Sequence, residues 1–497
     1  MNMIHLAPAP KVCICCEDTI YSVPAKITTR VEEWKKYLDV FKDAFDRMHF
    51  EQDVVLSIGD GGITLVRDDS LEPDCYTIDC DGSVRVCASN DAGILYALAT
   101  LLQLISVDTT GMLAVPKIHI EDHPDVEYRS FMIDVARHYH PFFTLLRYVD
   151  ICFLYKIKYL QIHFIDDQSY TLPSRCFPKL PTPRRHYSFD QIQQLNEYAQ
   201  LRGVMLVPEF EGPGHAMPFT ATYPEVFANT YDNGVGPKIM IEGGFAVSTN
   251  SLMCAGNESC REASKALISE ISEMFPNSPY IHIGGDEAAI ALWDRCDTCR
   301  AYRESHELES VKALYCDYVA DIAKHVISLG KTPIVWEGFS REEAHRIPKE
   351  TIVVGWESLY YMPNHLVEDG FKVINASWNP IYLVPYSYYD IPRTQGKCFW
   401  YGPDILKWDI YTWSNWAPES PATANPIKVE PTSQVLGAMM CCWEMIYEQE
   451  IDRVIQNLAA ASERMWNVKR DCNEKEFLAT QGVVGDLAHK LIQQKDE

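Results

Sequence analysis

The sequence predicts a (β/α)8 barrel preceded by a small α+β domain, and three observations carry that prediction. From about Tyr128 onward, eight short apolar runs alternate with longer amphipathic segments of helical length. The runs end in carboxylates, histidines and tryptophans, the residue types that parallel barrels gather at the carboxyl ends of their strands. The residues before the first run follow a different, mixed pattern and concentrate no such types. A chain of 497 residues that is 47% apolar also exceeds what one compact domain usually holds. The expected division is a small domain over 1–123, the barrel over 124–470 and a terminal helix over 471–497.

Taken in order, residues 31–50 carry helical spacing, and 54–58 and 76–79 are β-like. Residues 92–105 form an apolar helix that Asn90-Asp91 can cap. The eight strands are expected at 130–136, 158–165, 204–211, 280–285, 332–336, 351–356, 372–378 and 435–443. Helix-length segments such as 189–201 and 310–329 separate them. The stretch 378–431 is too long and too rich in Tyr, Trp and Pro for a plain connection, so it is expected to face substrate, as is a second insertion within 166–186. The tail from 473 reads as one helix.

Lys and Arg number 44 against 69 Asp and Glu, a net charge of −25, which argues against a nucleic-acid or anionic-membrane surface. No run approaches a membrane span, and the first residues show no basic start followed by an apolar stretch, so a cytoplasmic location is expected. Seventeen cysteines, some adjacent, suit reduced thiols better than a disulfide framework. Cys296-x-x-Cys299 invites zinc, but a structural site needs four ligands, and no second Cys-x-x-Cys or His pair accompanies it. Neither metal nor cofactor is expected.

The most informative stretch is Tyr280-Ile-His-Ile-Gly-Gly-Asp286-Glu287, a β-like run that stops at two glycines and presents two adjacent carboxylates. Each charge disfavours ionisation of the other, so one of the pair is expected to hold a proton near neutral pH. A protonated acid beside a charged one suits glycosidic bond cleavage. The other strand ends supply Asp134 and Arg137, then His163, Asp166 and Asp167, then Glu209, Glu211 and His215. The last four end in Trp336-Glu337, Trp356-Glu357, Trp378 and Trp443-Glu444. Indole faces stack on the C–H face of a pyranose while acids and Arg hydrogen-bond its hydroxyls, so this rim is expected to bind a sugar.

Four sequence words then carry a resemblance: Met132-Ile-Asp134-Val-Ala-Arg137-His-Tyr, His163-Phe-Ile-Asp166-Asp167-Gln, Val207-Pro-Glu209-Phe-Glu211-Gly-Pro-Gly-His215 and His282-Ile-Gly-Gly-Asp286-Glu287. In order and spacing, residues 129–466 resemble the catalytic domain of family 20 glycoside hydrolases, the β-N-acetylhexosaminidases, and residues 1–123 resemble the α/β domain that often precedes it. The resemblance implies removal of terminal β-linked GlcNAc or GalNAc with retention, the substrate's own 2-acetamido oxygen acting as nucleophile. It implies Glu287 as general acid and base, and Asp286 as the charged group that holds the acetamide N–H. Arg137 would bind the hydroxyls at C3 and C4, and Glu444 those at C4 and C6. Trp336 and Trp356 would wall the acetamide pocket, Trp443 would floor it, and Asp166, His163 and His215 would form a polar network beside the acid. Tyr382 fits the tyrosine that donates to the acetamide oxygen, with Tyr386 in reserve. Two departures stand out: Val384 occupies a position where the family usually has Asp or Asn, and Trp443-Glu444 replaces the common Trp-Gly-Glu.

The partner is thus a carbohydrate with a terminal N-acetylhexosamine, neither nucleic acid nor membrane is expected, and a homodimer is allowed. Three other readings compete. A metal-dependent barrel hydrolase usually needs His-x-His on its first strand, which 130–136 lacks. A non-catalytic sugar-binding barrel would be expected to lose one of Asp286 and Glu287, yet both are present. A member releasing a disaccharide, such as lacto-N-biose, would differ in its insertion loops. The choice between GlcNAc and GalNAc stays open.

Overall fold

The computed structural model describes residues 4–52, 54–230, 238–240, 246–248, 251–385 and 399–493. Tyr386 lies outside them. The first part of the chain forms one mixed sheet of eight strands, running from Val12–Val23 to Leu113–Asp122. Helices Lys35–Met48 and Asp91–Leu104 pack against it. Asn90 caps the second helix by accepting from the Gly93 amide at 2.8 Å, so the sequence cap operates. That helix is buried on nearly every side because it lies between the sheet and the barrel.

The second part is a closed parallel barrel of eight strands: Tyr128–Asp134, Tyr159–His163, Met205–Glu209, Tyr280–His282, Thr332–Trp336, Ile352–Gly355, Lys372–Asn375 and Val435–Cys442. Each pairs with the next, and the last pairs with the first to close the ring. All eight expected strands are present in order, several shorter than their apolar runs. The fourth ends early because Gly284 and Gly285 turn to φ 68° and 104°. The seventh ends at Asn375, and Trp378 begins a short helical turn instead of closing a strand. Helices Phe189–Leu201, Val311–Ser328 and Glu474–Gln493 occupy the expected places.

The barrel interior is filled in layers. Tyr128, Tyr159 and Tyr280, from the amino ends of their strands, plug the bottom, with the first two rings stacked at 4.5 Å. Met132, Val207, Ile334, Val354 and Met439 fill the middle, and Trp336, Trp356, Trp378 and Tyr382 cap the top. Chemistry is thereby confined to the carboxyl rim. The two parts of the chain are joined by a buried polar knot, in which Asp122 accepts from Tyr76 Oη at 2.6 Å, Lys156 Nζ at 2.9 Å and Trp466 Nε1 at 2.8 Å. Among the described residues no helix is long and apolar enough to cross a membrane.

Candidate active site

The first strand ends in Asp134, which organises the turn after it. Its carboxylate accepts from the Ala136 and Arg137 amides at 3.0 and 2.9 Å and from Arg137 Nη1 at 3.1 Å. It also accepts from the Glu444 amide at 3.2 Å, tying the first strand to the last across the closure of the barrel. Arg137 is thereby aimed inward, with Nη2 2.9 Å from Asp166 Oδ2, Nε 3.8 Å from Glu444 Oε1 and its guanidinium 5.0 Å from the centre of the Trp443 ring.

Asp166 leaves the second strand buried among cations. His163 Nε2 lies 2.8 Å from it, and His215 Nδ1 lies 3.3 Å away. Burial alone would raise its pKa, but Arg137, His215 and His163 hold it well below the ordinary carboxylate value. His163 reaches Glu209 with its other nitrogen at 3.1 Å. Burial opposes its charge, yet Glu209 and Asp166 raise its pKa well above the usual histidine value. Glu209 accepts from Gln161 Nε2 at 2.9 Å and from Trp336 Nε1 at 2.6 Å. Despite burial, His282 and His163 bring its pKa to about 2. The interior under the site is therefore a chain of alternating carboxylates and imidazoles.

The loops after the third and fourth strands interlock. A Cβ on Gly284 would stand 2.2 Å from Glu211 Oε1, and one on Gly214 would stand 2.6 Å from the Asp286 carbonyl, so neither site has room for a side chain. This close fit places His215 Nε2 3.3 Å from Glu287 Oε2 and 3.7 Å from Asp286 Oδ2. His215 is opposed by burial but driven well above its usual pKa by Asp166, Glu287 and Asp286, making it a cation among three acids. Asp286 is pushed up to about 6, by burial first and then by Glu287 and Glu209 against the relief from His215. At pH 7 it is mostly charged, with a proton within easy reach.

Aromatic rings complete the rim. Trp336 and Trp443 lie 5.8 Å apart, Trp336 and Trp356 lie 6.4 Å apart in an edge arrangement, and Tyr382 lies 6.4 Å from Trp443. Trp356 Nε1 donates to the Glu337 carbonyl at 2.9 Å, which fixes its ring. Tyr382 is held by pairing of the Tyr382–Leu383 strand with the last barrel strand. Val384, where the resemblance leads one to expect an acid or amide, is buried and accepts from Arg453 Nη1 through its carbonyl at 2.8 Å.

All the residues singled out in the sequence, namely Glu287, Asp286, Arg137, Asp166, His163, His215, Trp336, Trp356, Tyr382, Trp443 and Glu444, stand at this one rim. Others were not singled out. Trp416 arrives from the long insertion and packs 5.2 Å from Trp378, and Trp400 joins the same aromatic cluster. Asp134 and Glu209 appeared only as acids at strand ends, whereas here they hold Arg137, His163 and Trp336 in place. Glu357 is buried with one carboxyl oxygen unpartnered, and burial followed by the charges of Glu287 and Glu337 raises its pKa well above the ordinary value.

The sequence and the fold have known counterparts. The family model described as glycosyl hydrolase family 20, catalytic domain, matches residues 126–469, and that of family 20, domain 2, matches residues 4–123. A β-hexosaminidase of Akkermansia muciniphila is 30% identical over 353 residues, 67% of each chain. The β subunit of mouse β-hexosaminidase is 26% identical over 403 residues, covering 79% of this chain and 69% of its own. The chain spans about half, 54%, of a Vibrio furnissii β-hexosaminidase. Among solved structures, a β-N-acetylhexosaminidase from Bacteroides fragilis shares the fold with a TM-score of 0.77 at 23% identity, over 96% of this chain and 93% of that one. A Vibrio harveyi exo-β-N-acetylglucosaminidase solved with N-acetylglucosamine gives 0.78 at 20% identity, over 99% and 77%. The chain belongs to glycosyl hydrolase family 20 and is a glycoside hydrolase.

Proposed function

We propose that the chain is a retaining exo-β-N-acetylhexosaminidase that removes terminal β-linked GlcNAc or GalNAc with help from the substrate's own acetamide. The observation that carries this reading is the contact of His215 with both Glu287, at 3.3 Å, and Asp286, at 3.7 Å, at the rim of a barrel lined with indoles. In the first step Glu287 gives its proton to the leaving oxygen as the C1–O bond breaks and the acetamide oxygen bonds to C1. Asp286, charged at neutral pH, accepts the acetamide N–H and offsets the positive charge of the ring intermediate. In the second step Glu287 takes a proton from water as that water attacks C1 and the acetamide is restored. Arg137 and Glu444 are assigned to the sugar hydroxyls, Tyr382 to the acetamide oxygen, and Trp336, Trp356 and Trp443 to the faces of the sugar.

A cleft of about 600 Å³ lies between the 3-10 helix that follows the catalytic loop and the loop after the fifth strand, lined by Ala288, Ile290, Tyr315, Gly338, Arg341 and Tyr360. The test is a panel of chromogenic β-linked GlcNAc, GalNAc, glucose and lacto-N-biose substrates. Hydrolysis of the two N-acetylhexosaminides, with the glucoside inert, is expected. A glucoside rate near that of the GlcNAc compound overturns the mechanism, and preference for the disaccharide overturns the exo-monosaccharide reading.

A further inference from the structure

Cys296 and Cys299 gain a third thiol that their spacing did not reveal. Cys254 approaches from a loop more than forty residues earlier, its Sγ 3.7 Å from Cys296 Sγ and 3.6 Å from Cys299 Sγ. All three cysteines are buried, and their sulfurs lie within 4.8 Å of one another. Tetrahedral zinc thiolates with Zn–S bonds of about 2.3 Å place their sulfurs roughly 3.8 Å apart, close to the separations found here. The surroundings suit bound thiolates. The Thr230 amide and hydroxyl both lie 3.4 Å from Cys296 Sγ, where they can donate to sulfur, and Asn229 Oδ1 lies 3.8 Å from Cys299 Sγ. Two other groupings of acids and histidines are the ion-paired network of the active site and need no metal to account for them.

We infer that Cys254, Cys296 and Cys299 bind one zinc ion, with the Asn229 amide oxygen or a water as fourth ligand, and that this ion braces the catalytic loop from behind. Binding displaces the thiol protons, and three soft ligands select zinc over magnesium or calcium. The site sits where bracing counts. Cys296 and Cys299 flank the start of helix Asp297–Ser305, directly after the short 3-10 helix Ile290–Arg295 that follows Asp286 and Glu287. Cys254 belongs to the segment whose Met253 amide donates to the Pro213 carbonyl at 2.9 Å, next to the loop carrying His215. Trp293 Nε1 donates to the Met253 carbonyl at 2.9 Å and already links the two segments. A shared ion would fix the acid's loop to the loop of His215.

The metal content of the purified full-length chain tests this without reference to activity. Prepared under reducing conditions without chelator and analysed by inductively coupled plasma mass spectrometry, the protein is expected to carry about one zinc per chain, released by an organomercurial reagent. Cys254→Ser and Cys296→Ser should each lower zinc at least tenfold, while Cys316→Ser, a buried cysteine outside the cluster, should retain it. Cobalt substitution should give a thiolate-to-metal charge-transfer band that Cys299→Ser abolishes. A zinc-free chain after growth with added zinc overturns the proposal, as does a disulfide between any two of the three found by mass spectrometry. Because the unmodified protein gives the first readout, failure of a serine variant to fold leaves the test intact.

Discussion

His215 Nε2 lies 3.3 Å from Glu287 Oε2, and the two residues share a left-handed backbone, with φ of 46° and 45°. Glu444, across the rim, holds φ 59°. A non-glycine residue in this region costs on the order of 1–3 kcal/mol, and such strain gathers where a side chain must be aimed against local preference. Here the aim is mutual: the interlocked loops turn the acid and its histidine toward each other.

Glu287→Gln keeps the shape of the side chain but removes the transferable proton. General acid catalysis is worth about 10²–10⁴-fold, so hydrolysis of a natural glycoside should fall by that much. A nitrophenyl glycoside, whose leaving group needs little protonation, should lose far less. Steady-state rates on both substrates decide the matter, and equal losses would assign Glu287 another role.

Asp286 titrates at about 6, raised from its ordinary value chiefly by burial. In the proposed mechanism only the charged form holds the acetamide, so the acid limb of the kcat/KM profile should fall away as pH drops through about 6. Asp286→Asn should erase that acid limb and lower kcat on good and poor leaving groups alike, by about 2.7–4 kcal/mol if its role matches that of an oxyanion-hole donor. A mutant with near-normal rates would remove Asp286 from the mechanism.

The barrel and most of the rim were legible because their signals are local. Apolar alternation marks each strand, and the residue that follows a parallel strand lies at the rim whatever the rest of the chain does, so Asp286, Glu287, Arg137 and His215 could be located without a structure. What escaped depends on distant chain. Cys254 meets Cys296 only after a helix and a strand have folded between them, and Trp416 reaches Trp378 from an insertion whose path no periodicity encodes. Strand ends were overestimated where backbone geometry, not hydrophobicity, stops the ladder, as at Gly284. The state of buried acids such as Glu357 depends on charges contributed by other strands, which spacing alone does not give.

Trp336 donates its indole N–H to the buried Glu209 carboxylate at 2.6 Å. Trp336→Phe keeps most of the apolar surface and deletes that donor, leaving a charged oxygen with one partner fewer. The expected loss is about 1–3 kcal/mol of stability, measured as a lower urea midpoint with unchanged slope. Weaker substrate binding should accompany it if the ring also walls the acetamide pocket.

Arg137→Lys keeps the charge but not the fork. The guanidinium reaches Asp134 at 3.1 Å, Asp166 at 2.9 Å and Glu444 at 3.8 Å together, and one ammonium cannot hold all three directions. KM for N-acetylhexosaminides should rise and kcat fall, while circular dichroism stays native. A lysine variant with unchanged kcat/KM would show that Arg137 does not contact the sugar.

Glu357 gives a prediction on stability instead of rate. Burial, then the charges of Glu287 and Glu337, raise its folded pKa well above its value in the unfolded chain. Between those two values the folded state binds more protons than the unfolded state, so stability declines as pH rises through that window. Its contribution is least unfavourable below the unfolded pKa and worsens toward neutral and alkaline pH. Glu357→Gln removes the ionisation while keeping the size, and the amide can take the place of the protonated acid. The variant should therefore melt at a higher temperature than the parent at pH 8, with the gap shrinking toward pH 5. Differential scanning calorimetry at both values measures it. A gap that grows on acidification would mean that Glu357 is charged in the folded protein and stabilised by a cation.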